Sequence, residues 1–330
     1  MAWRFLRVTG LAALTALTAV AALVAVPAQA SGDEGHGAGW APDVSFIQFQ
    51  SPNLAAPGTP LTIQGKLSVP GYPGRHGGPG GHGHRKLPAV LILHGSSGVD
   101  ARGDFYEAAL NAAGIATLQI DMWQARGVAT AAQRPNAPVL TYPDAFSALA
   151  FLAQQPGIDG TRVGVLGFSW GGLVSLGTAE RLYAGQFGGG RTFKAHVANY
   201  PVCYAWNNTA LLAAVRSTPA QYGVQWINLT GAPVLIQVGT KDDYDNSSQP
   251  CEALAQSVNG SNGGIVKVNA YPGATHGWDR LMVPIVVADP FANQGSYFST
   301  GVPPAVHFTP DADQAYQSRA RVVRFFEKQL

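Results

Sequence analysis

Glycines stand two residues either side of Ser169 in Gly167-Phe168-Ser169-Trp170-Gly171. The pentapeptide follows an apolar run, Arg162-Val163-Gly164-Val165-Leu166, and opens a helical stretch. A serine on a sharp strand-to-helix turn has its Oγ raised above the end of a sheet, the arrangement called a nucleophile elbow. The next backbone N–H, that of Trp170, then points towards a developing oxyanion. Such a serine needs a base, and eight histidines compete for the role. His36, His76, His82 and His84 lie in Gly-rich segments too mobile to hold a geometry. His196 falls inside a predicted strand, His94 precedes the serine, and His307 follows no strand. His276, in Tyr271-Pro272-Gly273-Ala274-Thr275-His276-Gly277, sits on a loop just after the last predicted strand. That is where the order serine, acid, histidine places the base.

The acid that orients the base should lie between the two. An apolar strand ends in Gly239-Thr240-Lys241-Asp242-Asp243-Tyr244-Asp245. Asp242 comes first after the rigid strand end and is the expected orienting carboxylate, with Asp243 in reserve. A second oxyanion donor is expected from His94-Gly95-Ser96, after the strand beside the elbow; the Ser96 N–H is the best placed. The chemistry these residues predict is two-step acyl transfer: attack by Ser169 with His276 as base, then hydrolysis of the acyl-enzyme by water. Trp170 and Trp123 are expected either to wall the acyl pocket or to be buried structural tryptophans.

Stepping outward, continuous apolar strands alternate with helical stretches from Ala89 onward: Ala89–Leu93, Ile115–Ile120, Val163–Phe168, Ala195–Ala198, Val234–Val238 and Ile265–Ala270. Strands apolar on both faces suit a mostly parallel sheet covered by helices. Alternating patterns in Val44–Phe49 and Leu61–Leu67 predict two half-buried antiparallel strands before it. Helices are expected over Asp144–Gln155 and Trp170–Tyr183. A last one runs from about Pro310 to Lys328, capped by Thr309, with Tyr316, Ala320, Val323 and Phe326 on one face. The fold class is therefore α/β. Residues 43–330 read as a single domain, interrupted at 71–86 by an insertion with seven glycines and three histidines. That insertion is expected to be a flexible hairpin tip, since nothing in it fixes a metal geometry. No metal or cofactor is expected.

The chain has 330 residues, 46% hydrophobic and 12% charged, which excludes a disordered polymer. Arg4 and Arg7 precede an apolar run that ends at Pro27, and Ala28-Gln29-Ala30 has the small-x-small pattern of a peptidase site. Residues 1–30 thus read as a cleaved export signal and 31–42 as a mobile leader. Without the signal, 19 basic and 19 acidic side chains remain, too balanced for phosphate-backbone binding. Neither nucleic acid nor, after cleavage, membrane is an expected partner. Cys203 and Cys251 would meet an oxidising compartment, periplasm or medium, where a disulfide persists. Two buried free thiols are the alternative.

Together these segments resemble the dienelactone hydrolase family of the α/β-hydrolase superfamily, over roughly Leu61 to Leu330. The resemblance rests on His94-Gly95-Ser96-Ser97-Gly98-Val99, Asp121-Met122-Trp123-Gln124-Ala125-Arg126-Gly127, the elbow, Gly239-Thr240-Lys241-Asp242-Asp243, and Gly273-Ala274-Thr275-His276-Gly277-Trp278-Asp279. It implies an α/β-hydrolase fold and cleavage of a small-molecule carboxylic ester or lactone. Exported members similarly carry cysteines at the places of Cys203 and Cys251, which implies the bridge. The enzymes that name the family use a Cys nucleophile and a nearby Glu; here those positions hold Ser169 and Gly95. Their two carboxylate-binding arginines are matched in spacing by Arg280 and, one place out of register, by Arg126. An anionic ester is therefore one expectation. A serine peptidase on the same fold and a non-catalytic exported binding protein are the rivals.

Overall fold

The computed structural model describes residues 41–71, 86–207 and 225–330. The expected export signal, nearly all of the expected leader and the body of the Gly/His-rich insertion lie outside the described residues. Eight strands build the main sheet: β1 (Asp43–Ser51), β2 (Leu61–Val69), β3 (Leu87–Leu93), β4 (Ala116–Asp121), β5 (Ile158–Phe168), β6 (Ala195–Asn199), β7 (Val234–Gly239) and β8 (Val266–Tyr271). Their order is β1-β2-β4-β3-β5-β6-β7-β8. β1 and β2 pair antiparallel, as does β2 with β4; the remaining pairings are parallel.

Successive side chains of a strand point to opposite faces, and the sheet feeds two cores in that way. Ala89, Leu91 and Leu93 of β3 and Val163 and Val165 of β5 join one of them. Phe146, Leu149 and Leu152 of α2 (Tyr142–Ala153), Val174 of α3 (Trp170–Thr178) and Tyr183 of α4 (Arg181–Phe187) cover that face. Val90 and Ile92, with Leu166 and Phe168, join the other core. There they meet Tyr106 and Leu110 of α1 (Ala101–Ala112) and, from the last helix, Ala315, Val322 and Phe326. Burial on both faces is what the unbroken apolar runs required.

Three details differ from the sequence reading. The helix after the elbow stops at Thr178 and a new one starts at Arg181. Between them the buried Glu180 accepts hydrogen bonds from the backbone of Ile227 and Asn228, at 2.6 and 3.0 Å. Two further long helices among the described residues are α5 (Gln249–Asn262) and the C-terminal α6 (Ala312–Gln329). The N-cap of α6 is Asp311, whose carboxylate accepts from the Gln314 N–H, rather than Thr309. Its buried positions are Ala315, Ser318, Val322 and Phe326, and Tyr316 is 55% exposed. The helix is thus rotated from the expected face, because Tyr316 packs edge-on against Phe105 at its margin instead.

Cys203 and Cys251 form a disulfide, with Cα atoms 4.9 Å apart. It ties the segment after β6 to the first turn of α5, and closing such a loop stabilises by about 4 kcal/mol in the chain-entropy model. Beside it Asp245, fully buried, accepts from the backbone of Cys203 and Tyr204 at 2.9 and 2.7 Å. Burial, together with the nearby Asp242 charge, pushes the Asp245 carboxyl up to about 7. A carboxyl that binds its proton more tightly when folded stabilises the fold at low pH, and this contribution is lost as pH rises towards the folded pKa. The unfolding midpoint should therefore fall between about pH 4 and pH 7 through this group. Thermal denaturation across that range should show the fall in the native chain and a flatter profile in Asp245→Asn. Identical profiles would remove Asp245 from the account.

Candidate active site

The strand order reverses around β3 and β5, whose C-terminal ends lie side by side. Open α/β sheets bind ligands at such a switch point. The elbow leaves β5 there and the Ser96 loop leaves β3. Ser169 has φ 51° and ψ −108°, a conformation that side chains other than glycine rarely adopt. It is held by its own N–H donating to Asn199 O at 2.9 Å. The flanking glycines follow from close approach: a methyl group at Gly167 would overlap the Gly171 carbonyl, and one at Gly171 the Leu93 carbonyl. Gly171 N–H also donates to His94 O at 3.1 Å, fastening the elbow to the end of β3.

Ser169 Oγ lies 2.9 Å from His276 Nε2, and His276 Nδ1 lies 2.7 Å from Asp242 Oδ2. The other Asp242 oxygen accepts from Tyr244 N–H at 2.9 Å. His276 and Asp242 are buried, and Ser169 is 8% exposed. Three side chains separated by as many as 107 positions thus form one hydrogen-bonded chain. Asp243 is turned away, its Oδ2 accepting from the N–H of His307 at 2.6 Å and facing its imidazole at 3.1 Å. The acid–base rivals are likewise occupied. His94 Nε2 accepts from Met122 N–H at 2.9 Å, so its Nδ1 donates to Gly95 O at 2.7 Å. His196 is buried against Ser175 O, and desolvation pushes it down to about 4.

Trp170 is the first residue of α3, where a backbone N–H has no intrahelical acceptor. Ser96 and Trp170 both line the cavity that opens at Ser169. Trp123 supports this loop rather than lining that cavity. Its indole N–H donates to Ser96 O at 3.0 Å and its ring packs edge-on against His94 and Trp170.

A model of the dienelactone hydrolase family matches residues 73–284. The chain belongs to the dienelactone hydrolase family. Curated protein sequences give no match. Among solved structures, the chain is similar to a dienelactone hydrolase-like promiscuous phosphotriesterase, P91, from metagenomic libraries, with 17% identity and a TM-score of 0.51 over 87% of this chain and 98% of that one. It is also similar to esterase 2 of the planctomycete Thermogutta terrifontis, with 14% identity and a TM-score of 0.54 over 80% and 86%. The same esterase phosphorylated by paraoxon gives 14% identity and a TM-score of 0.52 over 80% and 87%. These likenesses bear out the α/β-hydrolase fold.

Neither arginine suggested by the dienelactone hydrolase family reaches the cavity at Ser169. Arg126 is a correction. Its guanidinium donates to Asp144 at 2.6 and 3.2 Å and to the carbonyls of Met122 and Leu140. Asp144 is fully buried and also accepts from Ser51 Oγ at 2.6 Å. Arg126 therefore neutralises a core carboxylate instead of a ligand. Removing one partner of a buried pair costs about 3–5 kcal/mol, so Arg126→Ala should lower the unfolding free energy by about that much in urea titrations. Unchanged stability with a raised KM would restore the ligand role. Arg280 sits behind Phe308, its Cζ 6.0 Å from that ring and its Nε 4.0 Å from Asp100.

Sequence reasoning missed the setting of the imidazole. Tyr200, Tyr244 and Phe308 enclose His276 at ring-centroid distances of 4.8, 4.4 and 5.3 Å. Beneath them Asp279, just past His276, accepts from the hydroxyls of Tyr106 and Tyr200 at 2.7 and 2.6 Å and from Asn199 Nδ2 at 3.2 Å. Burial raises the Asp279 carboxyl, opposed by the charge of Arg102 and by these donors. Arg102 in turn donates to Tyr200 Oη at 3.2 Å. Tyr200 and Val202 have φ of 42° and 55°, strain stored on the loop that faces the site. The Asp279 in Gly277-Trp278-Asp279 was the one visible hint; the tyrosines carry no local signal.

Proposed function

We propose that the chain is a serine hydrolase that cleaves a carboxylic ester or lactone through an acyl-enzyme on Ser169. The observation that carries this reading is the unbroken hydrogen-bonded chain from Ser169 to His276 to Asp242. Ser169 Oγ attacks the carbonyl carbon while His276 Nε2 takes its proton. Asp242 fixes the Nδ1–H tautomer and stabilises the imidazolium that forms. The backbone N–H groups of Ser96 and Trp170 stabilise the tetrahedral oxyanion. His276 then protonates the leaving alcohol, and water, deprotonated by the same imidazole, releases the acid.

Family membership supports hydrolysis as the reaction type. The Thermogutta esterase phosphorylated by paraoxon supports an ester-cleaving site open to such reagents, and Ser169 of this chain should react likewise. The test is hydrolysis of p-nitrophenyl esters beside peptide p-nitroanilides. Ester turnover without anilide cleavage is expected. Anilide cleavage would favour the peptidase reading, and a Ser169 inert to a fluorophosphonate probe would favour the binding protein. Export is part of the same proposal: the basic and apolar N-terminal pattern supports it, as does the disulfide, which suits an oxidising compartment.

A further inference from the structure

The cavity at Ser169 is a small one of about 100 Å³. Ser96 and Trp170 flank Ser169 in its wall, and Val139, Leu173, Val202 and Phe291 give it an apolar body. His276 is not among its lining residues. That asymmetry separates the two halves of an ester. The leaving alcohol must reach His276 Nε2 to be protonated, whereas the acyl carbon stays on Ser169 with its oxygen between the Ser96 and Trp170 amides. The cavity on the oxyanion side is therefore where the acyl group extends.

One charged side chain, Arg134, stands among the described lining residues, and its charge is spoken for. Its Nη2 donates to both oxygens of Asp289, at 3.0 and 2.8 Å, and its Cζ lies 5.3 Å over the Phe291 ring. Asp289 also accepts from Tyr244 Oη at 3.0 Å and from Phe291 N–H at 2.9 Å, which locks it in place. A carboxylate on the acyl chain would lose its hydration here and find no free cation among the described lining residues, a large net cost. An alkyl chain loses nothing.

Resting on the acyl-enzyme reading, we propose that this site selects neutral esters with a short apolar acyl group, and that Asp289 enforces the choice by masking Arg134. The specificity is set by an ion pair the sequence does not advertise: its members lie 155 positions apart.

The experiment compares kcat/KM of the full chain for p-nitrophenyl acetate, butanoate and hexanoate, and for mono-p-nitrophenyl glutarate against p-nitrophenyl pentanoate. Each fully buried methylene is worth about fourfold, so butanoate should exceed acetate by about tenfold. The glutarate monoester should fall about 100-fold or more below pentanoate. Asp289→Asn, which leaves the guanidinium unmasked, should narrow that gap by about tenfold, since freed arginine pairs readily with carboxylate. A flat chain-length profile, or a glutarate within a few-fold of pentanoate, overturns the proposal while Ser169-dependent turnover of acetate leaves the hydrolase reading standing. An unchanged gap in a folded Asp289→Asn overturns the masking role. Should that variant fail to fold, the unaltered enzyme's ester series still decides the selectivity. No turnover of any ester, with no label on Ser169, overturns both.

Discussion

Ser169→Ala should lower kcat for a p-nitrophenyl ester by about 10⁴- to 10⁶-fold, with KM little changed. The hydroxyl is the reacting atom in this account, and nothing else in the described site offers a nucleophile within reach of His276 Nε2. The fold should survive the change. The left-handed turn at residue 169 is held by the backbone bond to Asn199 O and by the two glycine contacts, none of which uses the hydroxyl. Circular dichroism and the melting midpoint should match those of the parent chain. A residual acceleration over water is expected, because the Ser96 and Trp170 amides remain. Loss of less than about tenfold in a correctly folded variant would mean that the ester is cleaved by some other group.

The second large effect separates two adjacent acids. Asp242→Asn should reduce kcat by about 10⁴-fold, since an amide favours the wrong imidazole tautomer and cannot stabilise imidazolium. Geometry should hold, because the Asn carbonyl can still accept from Tyr244 N–H. Asp243→Asn should stay within about a few-fold of the parent, as exposed pairs of this kind contribute little. Its carboxylate serves the β-hairpin formed by β9 (Ile285–Ala288) and β10 (Ala305–Phe308), through His307. Steady-state kinetics on both variants read the contrast. Equal losses would make the two acids interchangeable and undo the assignment.

The parts of the site legible in the sequence were those that short-range sterics or chain order enforce. Gly167 and Gly171 are visible because a tight turn leaves no room for a Cβ. His276 and Asp242 are visible because each follows a strand directly, where a loop is short enough to be held. Both antiparallel strands and the parallel sheet were readable from the period of their apolar residues. What escaped depends on partners distant in sequence. Arg126 lies one place from a ligand position of the family, yet Asp144 and two carbonyls claim it. The face of α6 shifted because Tyr316 found an aromatic neighbour at the rim of the core. Tyr200, Tyr244 and Phe308 come from three separate segments and meet only at His276. The same holds for Arg134 and Asp289, whose pairing determines what the cavity can accept.

Rapid quenching of the enzyme with excess p-nitrophenyl ester in acid, followed by intact-mass measurement and peptide mapping, tests the acyl-enzyme itself. The account predicts one acyl group per chain, on the peptide containing Ser169, together with a burst of p-nitrophenol of equal stoichiometry if deacylation is the slower step. Paraoxon should mark the same residue. A covalent adduct on any other residue, or steady ester turnover with Ser169 never modified by either reagent, would contradict it.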